Sequence, residues 1–188
     1  RKELISQWRD RADSFYDRAL HRTYFRVFGH PVTRRFAIVG NARTGSNYLL
    51  DGLKSSPAIR MYHEIFAGHN RRAGQDFDRI LSTVFQYESR SIQMVGFKVF
   101  YNHLSEEEWQ RLQACRDVQI IHLTRRNRLR TVISLEIAFK TGQWTQSARA
   151  GGPKEKQVVL EPSKLLKRLE QIEAGEAAMP ELVQEYGG

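Results

Sequence analysis

The sequence predicts an α/β fold with a mostly parallel sheet flanked by helices. Three observations predict it. Short apolar runs read as buried strands at 36–39, 94–99 and 118–123, and they alternate with segments of helical spacing. A loop with glycines at both ends, Gly40 to Gly45, follows the first strong strand. In such sheets, that position is where phosphate groups bind.

Taken in order, residues 3–28 read as helical, with Leu4, Ile5, Trp8, Ala12, Phe15, Tyr16 and Leu20 near helical spacing. The expected organisation is an N-terminal helical segment over 1–30 packing on a core domain over 31–188, with Pro31 at the break. Phe36-Ala37-Ile38-Val39 is the first strand, Ser46 to about Leu53 a helix, and 59–62 a short strand. Phe77, Ile80, Leu81, Val84 and Phe85 make a helical stripe, and Met94 to Val99 the next strand. Ser105 and Glu108 form a capping box with Leu104 and Trp109 as its staple, so a helix covers roughly 106–115. Val118 to Leu123 is a strand and 128–140 a helix, with Leu129, Val132, Ile133 and Ile137 on one face. Residues 145–162 read as a loop, and Leu165, Leu166, Leu169 and Ile172 define a last helix.

Hydrophobic residues make up 40% of the 188-residue chain and aromatics 11%, which suits a globular domain and excludes a disordered chain. No apolar run approaches the roughly 20 residues that span a bilayer, so no transmembrane segment is expected, and no signal-peptide pattern opens the sequence. The single cysteine, Cys115, excludes an internal disulfide and a cysteine-rich zinc site. A reducing, cytoplasmic setting is the expectation, and a lumenal domain without disulfides is the alternative. The net charge of +9 favours anionic partners without choosing among nucleotides, nucleic acid and acidic lipid.

Two motifs carry chemistry. Gly40-Asn41-Ala42-Arg43-Thr44-Gly45-Ser46-Asn47 joins a strand to a helix, so loop amides and the helix N-terminus make an anion cradle. Its glycines have the separation of a nucleotide P-loop, but Ser46 stands where that motif needs lysine. The cation is Arg43, which can clamp a phosphate or sulfate through two hydrogen bonds. Thr124-Arg125-Arg126-Asn127 follows the 118–123 strand, and Ser134 lies eight residues after Arg126, or about 2.2 helical turns. That spacing puts Ser134 on the side of the helix near Arg126, where the two can hold a second phosphate. Arg125, Arg126, Arg128 and Arg130 crowd a helix N-terminus and oppose its dipole unless an anion offsets them.

Arg43-Thr44-Gly45-Ser46 resembles the 5′-phosphosulfate loop of sulfotransferases that use 3′-phosphoadenosine-5′-phosphosulfate (PAPS). Arg126-Asn127 followed by Ser134 is similar to their 3′-phosphate motif. Gly96-Phe97-Lys98, and the run from Ser134 to Thr141-Gly142-Gln143-Trp144, resemble the bacterial branch that includes trehalose and nodulation-factor sulfotransferases. The resemblance covers about residues 35–145. It implies a P-loop-like nucleotide-binding fold. It also implies sulfuryl transfer to a hydroxyl acceptor, a carbohydrate or glycolipid, with release of adenosine 3′,5′-bisphosphate. Arg43, Thr44, Gly45, Ser46 and Asn47 would hold the 5′-phosphosulfate, and Arg126 and Ser134 the 3′-phosphate. The branch places an acid in a segment similar to Tyr62-His63-Glu64-Ile65-Phe66, which makes Glu64 the expected general base and His63 its runner-up. Lys98 would touch the sulfuryl group; an exposed strand-end lysine is the other reading.

No match to the family follows residue 150. The alternatives are a chain that continues beyond Gly188 and a minimal variant, and the acceptor and adenine contacts stay unassigned. The scheme needs no metal, and the six histidines form no convincing ligand set. Two rival functions stay open. A P-loop kinase would need a loop lysine, which is absent from 40–47. A basic nucleic-acid-binding module would show aromatic–basic interleaving, which is absent, so no nucleic acid is expected. The sequence leaves the oligomeric state open.

Overall fold

The computed structural model describes residues 26–71, 75–142, 144 and 157–184. The strands are β1 (His30–Pro31), β2 (Arg34–Gly40), β3 (Ile59–Tyr62), β4 (Tyr87–Glu88), β5 (Met94–Phe100) and β6 (Val118–Leu123). The α-helices are α1 (Ser46–Lys54), α2 (Phe77–Val84), α3 (Glu106–Ala114), α4 (Arg128–Thr141) and α5 (Pro162–Gln184). Residues 26–28 are helical. The rest of the expected N-terminal helix, including Trp8, Phe15 and Tyr16, lies outside the described residues, as does 145–156 of the expected loop.

Four strands form a parallel sheet in the order β3-β5-β2-β6. Both faces are covered, which is why β2 reads as an unbroken apolar run with Phe36 to Val39 all buried. Phe36 and Ile38 of β2 and Met61 of β3 pack under Leu49, Leu50 and Leu53 of α1. On the other face, Ala37, Val39, Phe97 and Val118 pack with Phe77, Ile80 and Val84 of α2, Leu112 of α3 and Met179 of α5. The β2–β3 crossover therefore runs over one face. The β3–β5 and β5–β6 crossovers step the other way across the sheet and run over the opposite face. A consistently right-handed crossover demands that reversal.

The capping box forms as its spacing predicts: Ser105 Oγ accepts from the Glu108 amide at 3.3 Å, and Glu108 Oε2 from the Ser105 amide at 3.0 Å. Leu104 and Trp109 share one apolar cluster. Two features differ from the sequence expectation. β1 and β4 form a separate antiparallel pair, tied to β3 where the buried Glu88 accepts from Arg60 Nε at 2.9 Å and the Tyr62 hydroxyl at 3.3 Å. Leu129 is exposed at 46%, because α4 buries Thr131, Val132 and Ala138 instead. The last helix, defined in the sequence by Leu165, Leu166, Leu169 and Ile172, begins at Pro162 and runs for 23 residues. Pro162 suits a first helical turn, and Gly175 lies where a Cβ would stand 2.4 Å from the Tyr101 ring, so the glycine lets the helix dock there.

The sheet interior supplies a direct test of this packing. A Cβ on Gly96 would stand 2.5 Å from the Phe36 ring. Gly96→Ala is expected to destabilise the protein by about 1–3 kcal/mol through overpacking. Gly52 lies inside α1 with nothing within 4 Å of an added Cβ, so Gly52→Ala should stabilise by about 0.5–1 kcal/mol. Urea unfolding of the two variants checks both signs, and equal effects at the two positions would contradict the packing described.

Candidate functional site

The parallel register sets Gly40 of β2 level with Phe100 of β5 and Leu123 of β6. The chain therefore leaves three adjacent strands at one end of the sheet. The exits from β2 and β5 turn toward helices on opposite faces, which opens the crevice where α/β sheets bind ligands. A Cβ on Gly40 would meet the Leu123 carbonyl oxygen at 2.5 Å, so glycine is needed for β2 and β6 to approach this closely.

The β2–α1 loop is tightly wound. Arg43 and Gly45 both take the left-handed conformation, at φ 67° and 96°, and Arg43 is the only non-glycine residue to do so among those described. Thr44 Oγ1 donates to the Asn41 carbonyl at 2.9 Å, and Asn41 Oδ1 accepts from the Ala42 amide at 2.8 Å. Gly45 gives α1 no side-chain cap, and the first turn of α1 carries no acid. The amides at this N-terminus and the positive end of the helix dipole thus face the crevice without a side-chain acceptor.

Beneath α1, Lys98 of β5 is only 1% exposed. It is therefore not an exposed strand-end lysine, the alternative its sequence position allowed. Its Nζ donates to Asn47 Oδ1 at 2.6 Å and pairs with Glu64 Oε1 at 2.9 Å. Glu64 is half-buried in the turn that follows β3. Three candidates from distant parts of the sequence therefore meet. His63 Nε2 lies 3.0 Å from Lys54 Nζ, at the end of α1. An unpredicted histidine interacts electrostatically with both Glu64 and Lys98. His103 is half-buried, and its Nδ1 accepts from the Phe100 amide at 3.2 Å. Burial pushes His103 below the ordinary imidazole range, against the opposing charge of Glu64.

The two sequence motifs also meet. Arg43 Nε donates to Ser134 Oγ at 2.9 Å, and its Nη1 donates to the Trp144 carbonyl. Ser134 thus faces the β2–α1 loop, and Arg126 is exposed at the start of α4. Arg125, to which the sequence assigned no ligand, donates from Nη1 to the Arg43 carbonyl at 3.1 Å. Burial, and then the neighbouring charge of Arg125, pushes the Arg43 guanidinium below its usual value. The crowd of arginines is partly resolved within the fold, since Arg128 pairs with Glu173 at 2.7 Å and with Glu176 at 2.8 Å, both on α5. Asn127 caps α4 by accepting from the Arg130 amide at 3.0 Å.

Among the described residues, no group of three or more His, Cys, Asp or Glu is placed to hold a metal ion, and no helix is long and apolar enough to cross a membrane. No family model matches the chain, and no curated protein or solved structure matches it. A functional reading therefore stands on the chain's own residues.

The Lys98–Glu64 pair has a measurable consequence. Glu64→Gln leaves a buried ammonium with one neutral partner, and is expected to destabilise by about 1–3 kcal/mol. That is less than for a fully buried pair, because Glu64 keeps part of its surface in water. Lys98→Met should have a similar effect, and the double variant should lose less than the sum of the two. Denaturant unfolding of the four proteins measures the coupling; strict additivity would show that the charges do not interact.

Proposed function

We propose that the chain transfers a sulfuryl group from PAPS to a hydroxyl acceptor. The observation that carries this reading is the contact between Arg43 and Ser134, at 2.9 Å across 91 residues of sequence. It joins the β2–α1 loop to the helix that follows β6. One loop suits a single tetrahedral anion at a helix N-terminus. The exposed Arg126, at the start of α4, suits a second anionic group on the same ligand. A donor with separate 5′ and 3′ groups fits that division, and the resemblance of both motifs to PAPS-dependent sulfotransferases points the same way. The acceptor class the resemblance favours is a carbohydrate or glycolipid hydroxyl.

In this reading the acceptor oxygen attacks sulfur in line with the leaving phosphate oxygen. The new O–S bond forms as the bridging O–S bond breaks, and the phosphate of adenosine 3′,5′-bisphosphate keeps the electron pair. Glu64 takes the acceptor proton. Lys98 and Arg43 stabilise negative charge on the sulfuryl and bridging oxygens, as fixed cations in a water-poor crevice do. Asn47 positions the Lys98 ammonium. The kinase alternative loses ground because the cation of the loop is an arginine within it, not a lysine at the start of α1.

A thermal-shift comparison tests the reading. Adenosine 3′,5′-bisphosphate without Mg²⁺ should raise the melting temperature; at about 100 times its Kd the stabilisation is about 2.7 kcal/mol, or roughly 5–10 °C for a domain of this size. ATP should do less, with or without Mg²⁺. A larger shift with ATP that appears only with Mg²⁺ would replace this reading with phosphoryl transfer.

A further inference from the structure

Two arginines cross at the mouth of the β2–α1 loop. Arg43 leaves the loop and reaches α4, where Ser134 Oγ and the Trp144 carbonyl orient its guanidinium. Arg125 leaves the end of β6 in the other direction and donates to the carbonyl of Arg43 itself at 3.1 Å. Both side chains are partly buried, and among the described residues neither has a carboxylate partner. Arg128, three positions further on, shows the contrast: α5 supplies it with two acids, Glu173 and Glu176.

Two guanidiniums drawn partly out of water beside each other repel. A hydrogen bond to a backbone carbonyl does not require that second charge, since a neutral amide could donate it. It uses one of the five donors that a guanidinium carries, and the others are left for a further partner. A tetrahedral oxyanion would offset the repulsion by accepting from the remaining N–H groups of both guanidiniums. The crossing also lies at the anion-seeking N-terminus of α1, whose first turn has no acid.

We infer that Arg125 is a second anion-binding residue, and that with Arg43 it forms a two-guanidinium clamp on the sulfate or phosphate group held at the start of α1. The inference rests on the anion-site part of the function proposed above. The arginine cluster then has three distinct roles. Arg125 serves the group next to the loop, Arg126 the remote phosphate, and Arg128 the packing of α5.

Equilibrium dialysis with radiolabelled inorganic sulfate at fixed ionic strength tests the clamp. Arg125→Gln keeps a donor for the Arg43 carbonyl and removes the charge; Arg125→Lys keeps the charge without the fork. Wild type should bind one sulfate. Arg125→Gln should bind it about 10–100-fold more weakly, and Arg125→Lys should recover part of the loss. Arg130→Met removes the same charge from an exposed position and should change the affinity by less than about threefold, as a screened charge does. The clamp is overturned if Arg125→Gln behaves like Arg130→Met, or if wild type binds no sulfate. Dialysis of adenosine 3′,5′-bisphosphate in parallel separates the two proposals. Sulfate bound through Arg125 with no nucleotide bound would retire the PAPS reading and keep the clamp. Nucleotide bound equally by wild type and Arg125→Gln would do the reverse.

Discussion

Lys98 is 1% exposed, and Asn47 of α1 and Glu64 after β3 meet its ammonium. A buried charge is tolerated only where it is paired and hydrogen-bonded. Asn47 in the first turn of α1 and Glu64 after β3 meet that demand at 2.6 and 2.9 Å. Placing Asn47 fixes where α1 begins, and so how the loop from Gly40 to Gly45 must wind to reach it. Within that loop Arg43 and Gly45 take left-handed conformations, and the Arg43 side chain reaches Ser134 of α4. One buried cation therefore connects the sheet to the anion-seeking loop.

The topology explains why the loop lies beside the second basic motif. β2 and β6 are neighbours in register, with Gly40 opposite Leu123, so chain segments 83 residues apart in sequence emerge together. The missing side chain of Gly40 permits the close approach. The opposed directions of the crossovers then part the loops that leave β2 and β5, and leave a crevice between them. Within it, the cations differ in their surroundings and so in what they can bind. Lys98 is buried and paired, Arg43 and Arg125 are partly buried with no acid beside them among the described residues, and Arg126 is exposed.

Much of this was legible in the sequence. β2, β5 and β6 read as strands because a sheet covered on both faces needs uninterrupted apolar runs. The α3 start was legible because a capping box is a local device that Ser105 and Glu108 complete without help from the rest of the chain. Glu64, Lys98, Arg43 and Ser134 were all legible as candidates, yet their pairings were not. That Lys98 is buried depends on α1 covering its face of β5, and that Ser134 meets Arg43 depends on strand register. β1 and β4, at two residues each, carry no periodicity to read. The 23-residue extent of α5 was not legible, because a packing partner for its C-terminal half is a tertiary feature. Gly175 lets the helix lie against Tyr101.

In the proposed function, two loops hold the two anionic ends of one nucleotide. Calorimetric titration of adenosine 3′,5′-bisphosphate and adenosine 5′-monophosphate, into wild type and Arg126→Ala at one ionic strength, addresses it most directly. The two ligands differ only in the 3′-phosphate. The account expects wild type to bind the bisphosphate about 10–100-fold more tightly, as a charged hydrogen bond of about 1.5–3 kcal/mol requires. It expects Arg126→Ala to lose most of that preference and to bind the monophosphate as wild type does. Equal affinity of wild type for the two nucleotides, or an equal loss for both in Arg126→Ala, would contradict it.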